Sequence, residues 1–320
     1  MTTREVRLAV VGVGHLGRHH ARVAASLAGV RVVGVYDHHP GRAEEVAREF
    51  SLPILPTLEA VAEQAEAVVV ATPTVTHCEI AGFFLDRGLH VLVEKPIAAT
   101  VAEADDLLSR ARRADRVLLV GHVERYNPAI EAALQISESP RFVEVHRLGV
   151  FTARSLDVDV VLDLMIHDLQ IVSALVARPV REIRAAGVPV LTGKLDIANA
   201  RLAFEGGCIA NLTASRVSTE KVRKCRVFAP SIYVSVDMQS QSVSAYRLAR
   251  ESGRAEIVPI SVPVSREEPL ARELADFRRA VAEGSRPIVS GADGRDALAL
   301  AERVVGAVEE HRTTLEEAPV

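Results

Sequence analysis

The first third of the chain alternates short apolar runs with amphipathic stretches. Val6–Val11 is an apolar run ending at Gly12 and predicts a buried parallel strand. Residues 16–27 are Ala-rich and helix-like, Val30–Tyr36 predicts a second apolar strand ending at Asp37, and Pro40–Phe50 a helix. A short strand is expected at residues 54–55, ahead of Leu58–Gln64. Residues 67–71 form a third strong strand stopped by Thr72-Pro73, and residues 76–87 a helix with Gly88 as its C-terminal residue. A strand at 90–93, an amphipathic helix at Val101–Ala114 and a strand at 117–121 follow. This alternation specifies a parallel sheet with helices on both faces.

After Gly121 the rhythm changes. Pro128–Ile136 predicts a helix, 141–150 a strand, and 158–175 a largely apolar helix. Strand-like runs then crowd together at 181–188, 199–204, 208–215, 225–229, 233–237, 243–247 and 257–262, with Gly206-Gly207 as a tight hairpin turn. Helices over Pro269–Glu283 and 293–311 close the chain. Strands with few helices between them argue for a second, mostly antiparallel domain. The boundary falls near 121–127, giving a dinucleotide-binding domain of 1–122 and a substrate and oligomerisation domain of 123–320, with the closing helices able to pack back on the first.

Composition narrows the class. The 320 residues are 48% apolar and 25% charged, which suits a soluble protein with a full core. The formal charge of -4, spread basic residues, absent Trp and 4% aromatics give no basis for a nucleic-acid partner. No apolar stretch reaches the roughly 18 residues of a membrane helix, and no signal peptide is visible. Cys78, Cys208 and Cys225 form no C-x-x-C pattern and leave an odd thiol, so reduced thiols and a cytoplasmic location are expected.

Gly12-Val13-Gly14-His15-Leu16-Gly17 reads G-x-G-x-x-G. The first Gly permits a tight turn, the second lets backbone approach a pyrophosphate, and the third lets helix and strand pack closely. Alone the pattern is weak. Here it follows a strand, opens a helix and precedes Asp37 at the end of the next strand, twenty residues past Gly17. Asp37 is placed to accept from adenosine ribose hydroxyls and to repel a 2′-phosphate. His38 and His39 follow it rather than an Arg, which favours NAD over NADP.

Two further segments end strands at the same rim, where parallel sheets bind ligands. Thr72-Pro73-Thr74 reads either as a cofactor contact or as a plain strand-ending turn, and His77 either as a ligand contact or as a helix-start residue. In Glu94-Lys95-Pro96 the proline imposes extended backbone at Lys95, and a cis Pro96 would aim Lys95 into the cleft; the alternative is a surface lysine.

Asp163 and His167 are four apart within the 158–175 helix and share one face. Such a pair can orient a hydroxyl and take its proton, or be a satisfied core histidine beside a carboxylate. Asp163, His167 and Asp168 are costly in one buried helix unless they face a cleft. No third ligand accompanies them at convincing spacing, so no metal is expected. Arg125, Tyr126 and Asn127 lie where the chain leaves the first domain, with side chains expected toward the interdomain cleft. Arg154 and Arg216 are the better candidates for an anionic substrate among the later positive residues.

Together these residues resemble the Gfo/Idh/MocA family of nicotinamide-dependent sugar oxidoreductases over essentially the whole chain. The resemblance rests on Gly12–Gly17, Asp37, Thr72-Pro73 with His77, Glu94-Lys95-Pro96, the R-x-x-P of Arg125–Pro128 and the D-x-x-x-H of Asp163–His167. It implies an α/β fold: an N-terminal Rossmann domain and a C-terminal α/β domain with a large, mostly antiparallel open sheet whose free face forms a homodimer or homotetramer. It places the family's catalytic lysine and histidine on Lys95 and His167. It also implies cofactor contacts at Gly12, Gly14, His15, Leu16, Gly17, Asp37, Thr72, Pro73, His77, Glu94 and Lys95. Within the family, G-H-V-E-R-Y-N-P-A at 121–129, V-V-L-D-L-M-I-H-D-L at 160–169 and N-L-T-A-S-R-V-S at 211–218 resemble the bacterial UDP-N-acetylglucosamine 3-dehydrogenases.

The implied reaction oxidises a secondary hydroxyl of a sugar or nucleotide sugar to a ketone, with O3 of UDP-GlcNAc as the specific case. His167 would be the general base, Lys95 would stabilise charge on the reacting oxygen, and Asp163 would orient the hydroxyl or His167. Arg154 or Arg216 would contact the diphosphate. A free-sugar or inositol dehydrogenase, a non-catalytic NAD-sensing regulator and a biliverdin-reductase-like enzyme are the alternatives.

Overall fold

The computed structural model describes residues 4–152, 158–251 and 254–317. The chain divides into two units, one made of Met1–Val123 with Glu268–Asp296 and the other of Glu124–Glu267 with Ala297–Val320.

The first unit is a five-stranded sheet, ordered β2-β1-β3-β4-β5 and parallel throughout. Its strands are β1 (Val6–Val11), β2 (Val30–Tyr36), β3 (Ala67–Val70), β4 (His90–Glu94) and β5 (Leu118–Gly121). They are joined through α1 (His15–Ser26), α2 (Pro40–Phe50), α3 (Leu58–Gln64), α4 (His77–Asp86) and α5 (Val101–Ala114). Every residue of β3 is buried, as its unbroken apolar sequence requires when helices cover both faces. At α5, the Thr100 hydroxyl accepts from the Glu103 N–H at 3.2 Å while the Glu103 carboxylate accepts from Ala99 N–H at 3.0 Å. The expected strand at 54–55 shrinks to a single bridge between Val35 and Ile54. A late element, α8 (Pro269–Glu283), belongs here: Leu274, Phe277 and Val281 join the core of Leu8, Val10 and Val35.

The second unit begins with α6 (Pro128–Ile136), β6 (Phe142–Leu148) and α7 (Ile166–Val176). Its further strands are β7 (Val180–Val188), β8 (Ile197–Phe204), β9 (Ile209–Ser215), β10 (Val222–Ala229), β11 (Ile232–Asp237), β12 (Ser242–Glu251) and β13 (Arg254–Ile260). They form one sheet ordered β13-β12-β11-β10-β6-β9-β8-β7, antiparallel except for the β6–β9 pair. Gly206 and Gly207 turn β8 into β9 with φ of +85° and +87°, values that suit glycine alone. The long closing helix α9 (Gly291–Glu317) passes from the first unit to the second after Asp296, and Ala301, Val304 and Val308 enter the second core. The α/β expectation, parallel sheet then larger antiparallel sheet, is borne out.

The expected single helix at 158–175 is two pieces. Val161–Met165 winds as a π-turn and α7 starts at Ile166. Asp163 sits on the π-turn and His167 in the first turn of α7. Single π-turns interrupt helices mostly where function demands a particular side-chain placement.

Candidate active site

The glycine-rich turn has the shape that dinucleotide binding needs. Gly12 has φ +82°, and a Cβ there would meet the Thr72 Cγ2 at 2.7 Å. A Cβ on Gly17 would collide with the Gly12 carbonyl oxygen, so this position needs glycine for α1 to leave the strand closely. At Gly14 a Cβ would meet nothing within 4 Å. The protein itself leaves that space open, which fits the approach of a pyrophosphate to the backbone. His15 and Leu16 are exposed at the start of α1, whose N-terminal N–H groups present positive charge. Asp37 ends β2, with Oδ2 accepting from Val13 N–H and Oδ1 from His39 N–H, both at 2.8 Å. Each of its oxygens keeps a second lone pair for a ribose hydroxyl. These residues fit NAD.

Beyond β3, the Thr72 hydroxyl accepts from Thr76 Oγ1 at 2.9 Å. His77 is turned inward. Its Nδ1 lies 2.9 Å from the Pro96 carbonyl and its Nε2 2.9 Å from the Thr72 carbonyl. Burial lowers its affinity for a proton despite these carbonyls, so the neutral ring has one N–H to give. His77 thus sits between the Thr72-Pro73 turn and the Lys95-Pro96 turn and donates to one of their two carbonyls. The Glu94 side chain is buried, with Oε1 2.7 Å from His20 Nε2. Lys95 is half-buried, and the Lys95–Pro96 peptide is cis. His122, at the end of β5, is buried; burial and the nearby charge of Lys95 push it down to about 4.

In the second unit Asp163 is half-buried and His167 buried. The cost of burying Asp168 is met by an ion pair within the protein. Asp168 is 1% exposed and takes a two-pronged ion pair from Arg147, with Nη2 at 2.7 Å from Oδ1 and Nε at 2.9 Å from Oδ2. Arg147 also donates to Glu124 at 2.8 Å, and Arg223 donates to the same oxygen at 2.8 Å. Asn127 is tied into the fold: Oδ1 caps α6 through Ala129 N–H at 3.1 Å and Nδ2 donates to Met238 O at 2.8 Å. Tyr126 is buried and Arg125 half-buried on the preceding turn. Arg216 is buried, donates to the Val158 carbonyl and lies 3.8 Å from Asp196, so it holds the start of the Asp163 segment. Arg154 lies outside the described residues.

Sequence reasoning missed His20, His122 and Glu273. One of the three histidines of α1, a histidine just past β5 and a glutamate in an amphipathic late helix carry no local signal; only their burial beside Glu94 and Lys95 marks them.

Residues 6–122 match the Gfo/Idh/MocA model, described as an oxidoreductase family with an NAD-binding Rossmann fold. The chain is 38% identical over 309 residues to the UDP-N-acetylglucosamine 3-dehydrogenase of Acidithiobacillus ferrooxidans, covering 95% of this chain and 97% of that protein. The solved structure of that enzyme superposes with a TM-score of 0.88, covering 96% of this chain and 98% of the other. The inositol 2-dehydrogenase of Rhizobium meliloti is 26% identical, over 96% of this chain and 98% of its own. With the glycine turn, Asp37, the Glu94-Lys95-Pro96 strand end and the Asp163–His167 segment all in place, this chain belongs to the Gfo/Idh/MocA family of NAD-binding oxidoreductases.

Proposed function

We propose that this enzyme oxidises the 3-hydroxyl of UDP-N-acetylglucosamine to a ketone. The observation that carries the reading is the 38% identity, over 95% of this chain, to a protein named for that activity. When bound, NAD+ supplies the hydride acceptor, at C4 of its nicotinamide. The glycine turn with the α1 N-terminus holds the diphosphate, and Asp37 holds the adenosine ribose. His167 takes the hydroxyl proton as the C–H hydride leaves, so one hydroxyl yields one ketone, one NADH and one proton. Lys95 hydrogen-bonds the reacting oxygen and stabilises its developing charge. Asp163 orients the hydroxyl or the His167 ring. Arg125, and Arg154 where the chain places it, are the candidates for the UDP diphosphate; Arg216 serves by holding the Asp163 segment.

The enzyme is read as cytoplasmic and as a homodimer or homotetramer. All three cysteines are free thiols, and no helix among the described residues is long and apolar enough to cross a membrane. Directly paired across neighbouring strands, Phe142, Phe228, Tyr233 and Tyr246 form a row of rings on the large sheet, with Phe228 and Tyr246 exposed. This row is the face expected to meet a second copy.

The test is a panel of UDP-GlcNAc, UDP-glucose, free GlcNAc and myo-inositol with NAD+, read at the NADH absorbance band, with the carbon oxidised assigned by NMR. UDP-GlcNAc giving the 3-ketone is expected. Turnover of myo-inositol or free GlcNAc in preference to the nucleotide sugar overturns the assignment.

A further inference from the structure

The first unit buries three titratable side chains that the reaction above does not use. His20 comes from α1, Glu94 from the end of β4 and Glu273 from α8, and Glu273 is 0% exposed. The His20 Nε2 lies 2.7 Å from Glu94 Oε1, while Glu94 Oε2 accepts from the backbone N–H of Lys95 at 3.2 Å. One nitrogen or oxygen from each of the three lies within 4.8 Å of the others. Among the described residues, neither Glu273 oxygen has a hydrogen-bond partner, nor does His20 Nδ1.

Two carboxylates cannot both stay ionised so close together in a buried site without compensation. A cation or a proton would supply it. Ligand atoms about 2.0–2.1 Å from one ion, at the usual tetrahedral or octahedral angles, stand roughly 2.9–3.4 Å apart. The His20–Glu94 separation of 2.7 Å is shorter than that and is the length of a charge-assisted hydrogen bond. A proton needs only one O–H on Glu273, for which the Glu94 carboxylate, with an oxygen within 4.8 Å, is the acceptor. The two acids divide accordingly. Burial works to raise Glu94, but the His20 hydrogen bond and the charge of Lys95 bring it below the ordinary range. Burial, then the charges of Glu94 and Asp276, push Glu273 well above it.

We infer that Glu273 is a neutral carboxylic acid donating within the His20–Glu94–Glu273 cluster, and that the cluster is a positioning device for Lys95. Glu94 is the residue before Lys95 and is tied to its backbone, so the cluster sets where the lysine begins. An O–H on Glu273 and an N–H on His20 together hold Glu94 from two sides. The positioning role rests on the reading of Lys95 as the group that binds the reacting oxygen; the protonation of Glu273 does not.

The experiment compares full-length wild type with Glu273→Gln and Glu273→Leu. Infrared difference spectra at neutral pH are expected to show a protonated-carboxyl C=O band that Glu273→Gln removes. Glutamine keeps the volume and a donor, so its kcat stays within about twofold, whereas Glu273→Leu loses about tenfold in kcat at unchanged KM for NAD. Absence of the band, or a stoichiometric divalent metal found by elemental analysis, overturns the neutral acid, and this holds even where the leucine variant does not fold. Full kcat in Glu273→Leu, or a loss in Glu273→Gln as deep as the leucine one, overturns the positioning role. Turnover surviving Lys95→Ala removes the Lys95 assignment and the positioning role together, while the infrared band then still reports the neutral acid.

Discussion

The Asp37 carboxylate holds the backbone N–H of Val13 at 2.8 Å, joining the end of the second strand to the glycine turn. The residue proposed to bind the ribose thus also fixes the loop proposed to hold the phosphates. Asp37→Ala is expected to weaken NAD about tenfold or more, the worth of a charged hydrogen bond, and to narrow the preference over NADP. Titration of both cofactors by fluorescence checks this; an unchanged NAD/NADP ratio contradicts the assignment.

Gly14 and Gly17 separate a ligand-driven glycine from a packing-driven one. A Cβ at Gly14 meets nothing in the protein, and one at Gly17 runs into the Gly12 carbonyl. Gly14→Ala is expected to keep the thermal midpoint while losing about tenfold or more in NAD affinity. Gly17→Ala is expected to lower the thermal midpoint before any ligand is added. Equal midpoints for the two variants would remove the distinction.

On the proposed mechanism Lys95 binds the oxygen that gains charge in the transition state. Lys95→Ala should therefore lower kcat by about 10²–10⁴-fold, as for loss of a positioned proton or charge partner, with NAD affinity within about threefold of wild type. Stopped-flow turnover beside NAD fluorescence titration separates the two quantities.

Arg147 is enclosed by Asp168 and Glu124, with all three buried. Asp168→Ala leaves the guanidinium underpaired, and a loss of about 3–5 kcal/mol in urea unfolding is expected. The double change Arg147→Met with Asp168→Leu should cost less than the single one, because it removes the stranded charge. A double variant as unstable as the single would contradict this account.

His122 makes stability pH-dependent. Burial, with Lys95 nearby, places it at about 4 in the folded protein. An imidazole in the unfolded chain titrates near ~6.5. The folded value is the lower one, so the unfolded chain takes up the proton first as pH falls. The contribution is complete above the unfolded value, and is lost as pH falls from there toward 4, by about 3 kcal/mol at most. Urea unfolding at stepped pH should show His122→Asn with a flatter slope than wild type across that window. Matching slopes would exclude His122 as the source.

Much of the site was legible because its signals are local. The strand Val6–Val11 betrays itself by being apolar on both faces apart from Arg7, and Gly12, Gly14 and Gly17 by the spacing a turn requires. Asp37 follows from where the next apolar run stops. Such features depend on chain chirality, side-chain periodicity and the room a Cβ takes, which neighbouring residues settle among themselves. The tertiary structure alone decided which polar side chains face inward. His77 lies between two turns, Asn127 caps a helix, Asp168 meets Arg147, and Glu273 lies near Glu94 although far from it in sequence. A charged or polar side chain has no preference for a ligand or for another residue until burial removes water and packing names its partner. The Asp163–His167 segment lies between these cases: its spacing was plain in the sequence, while the π-turn that carries Asp163 arose only in the folded chain.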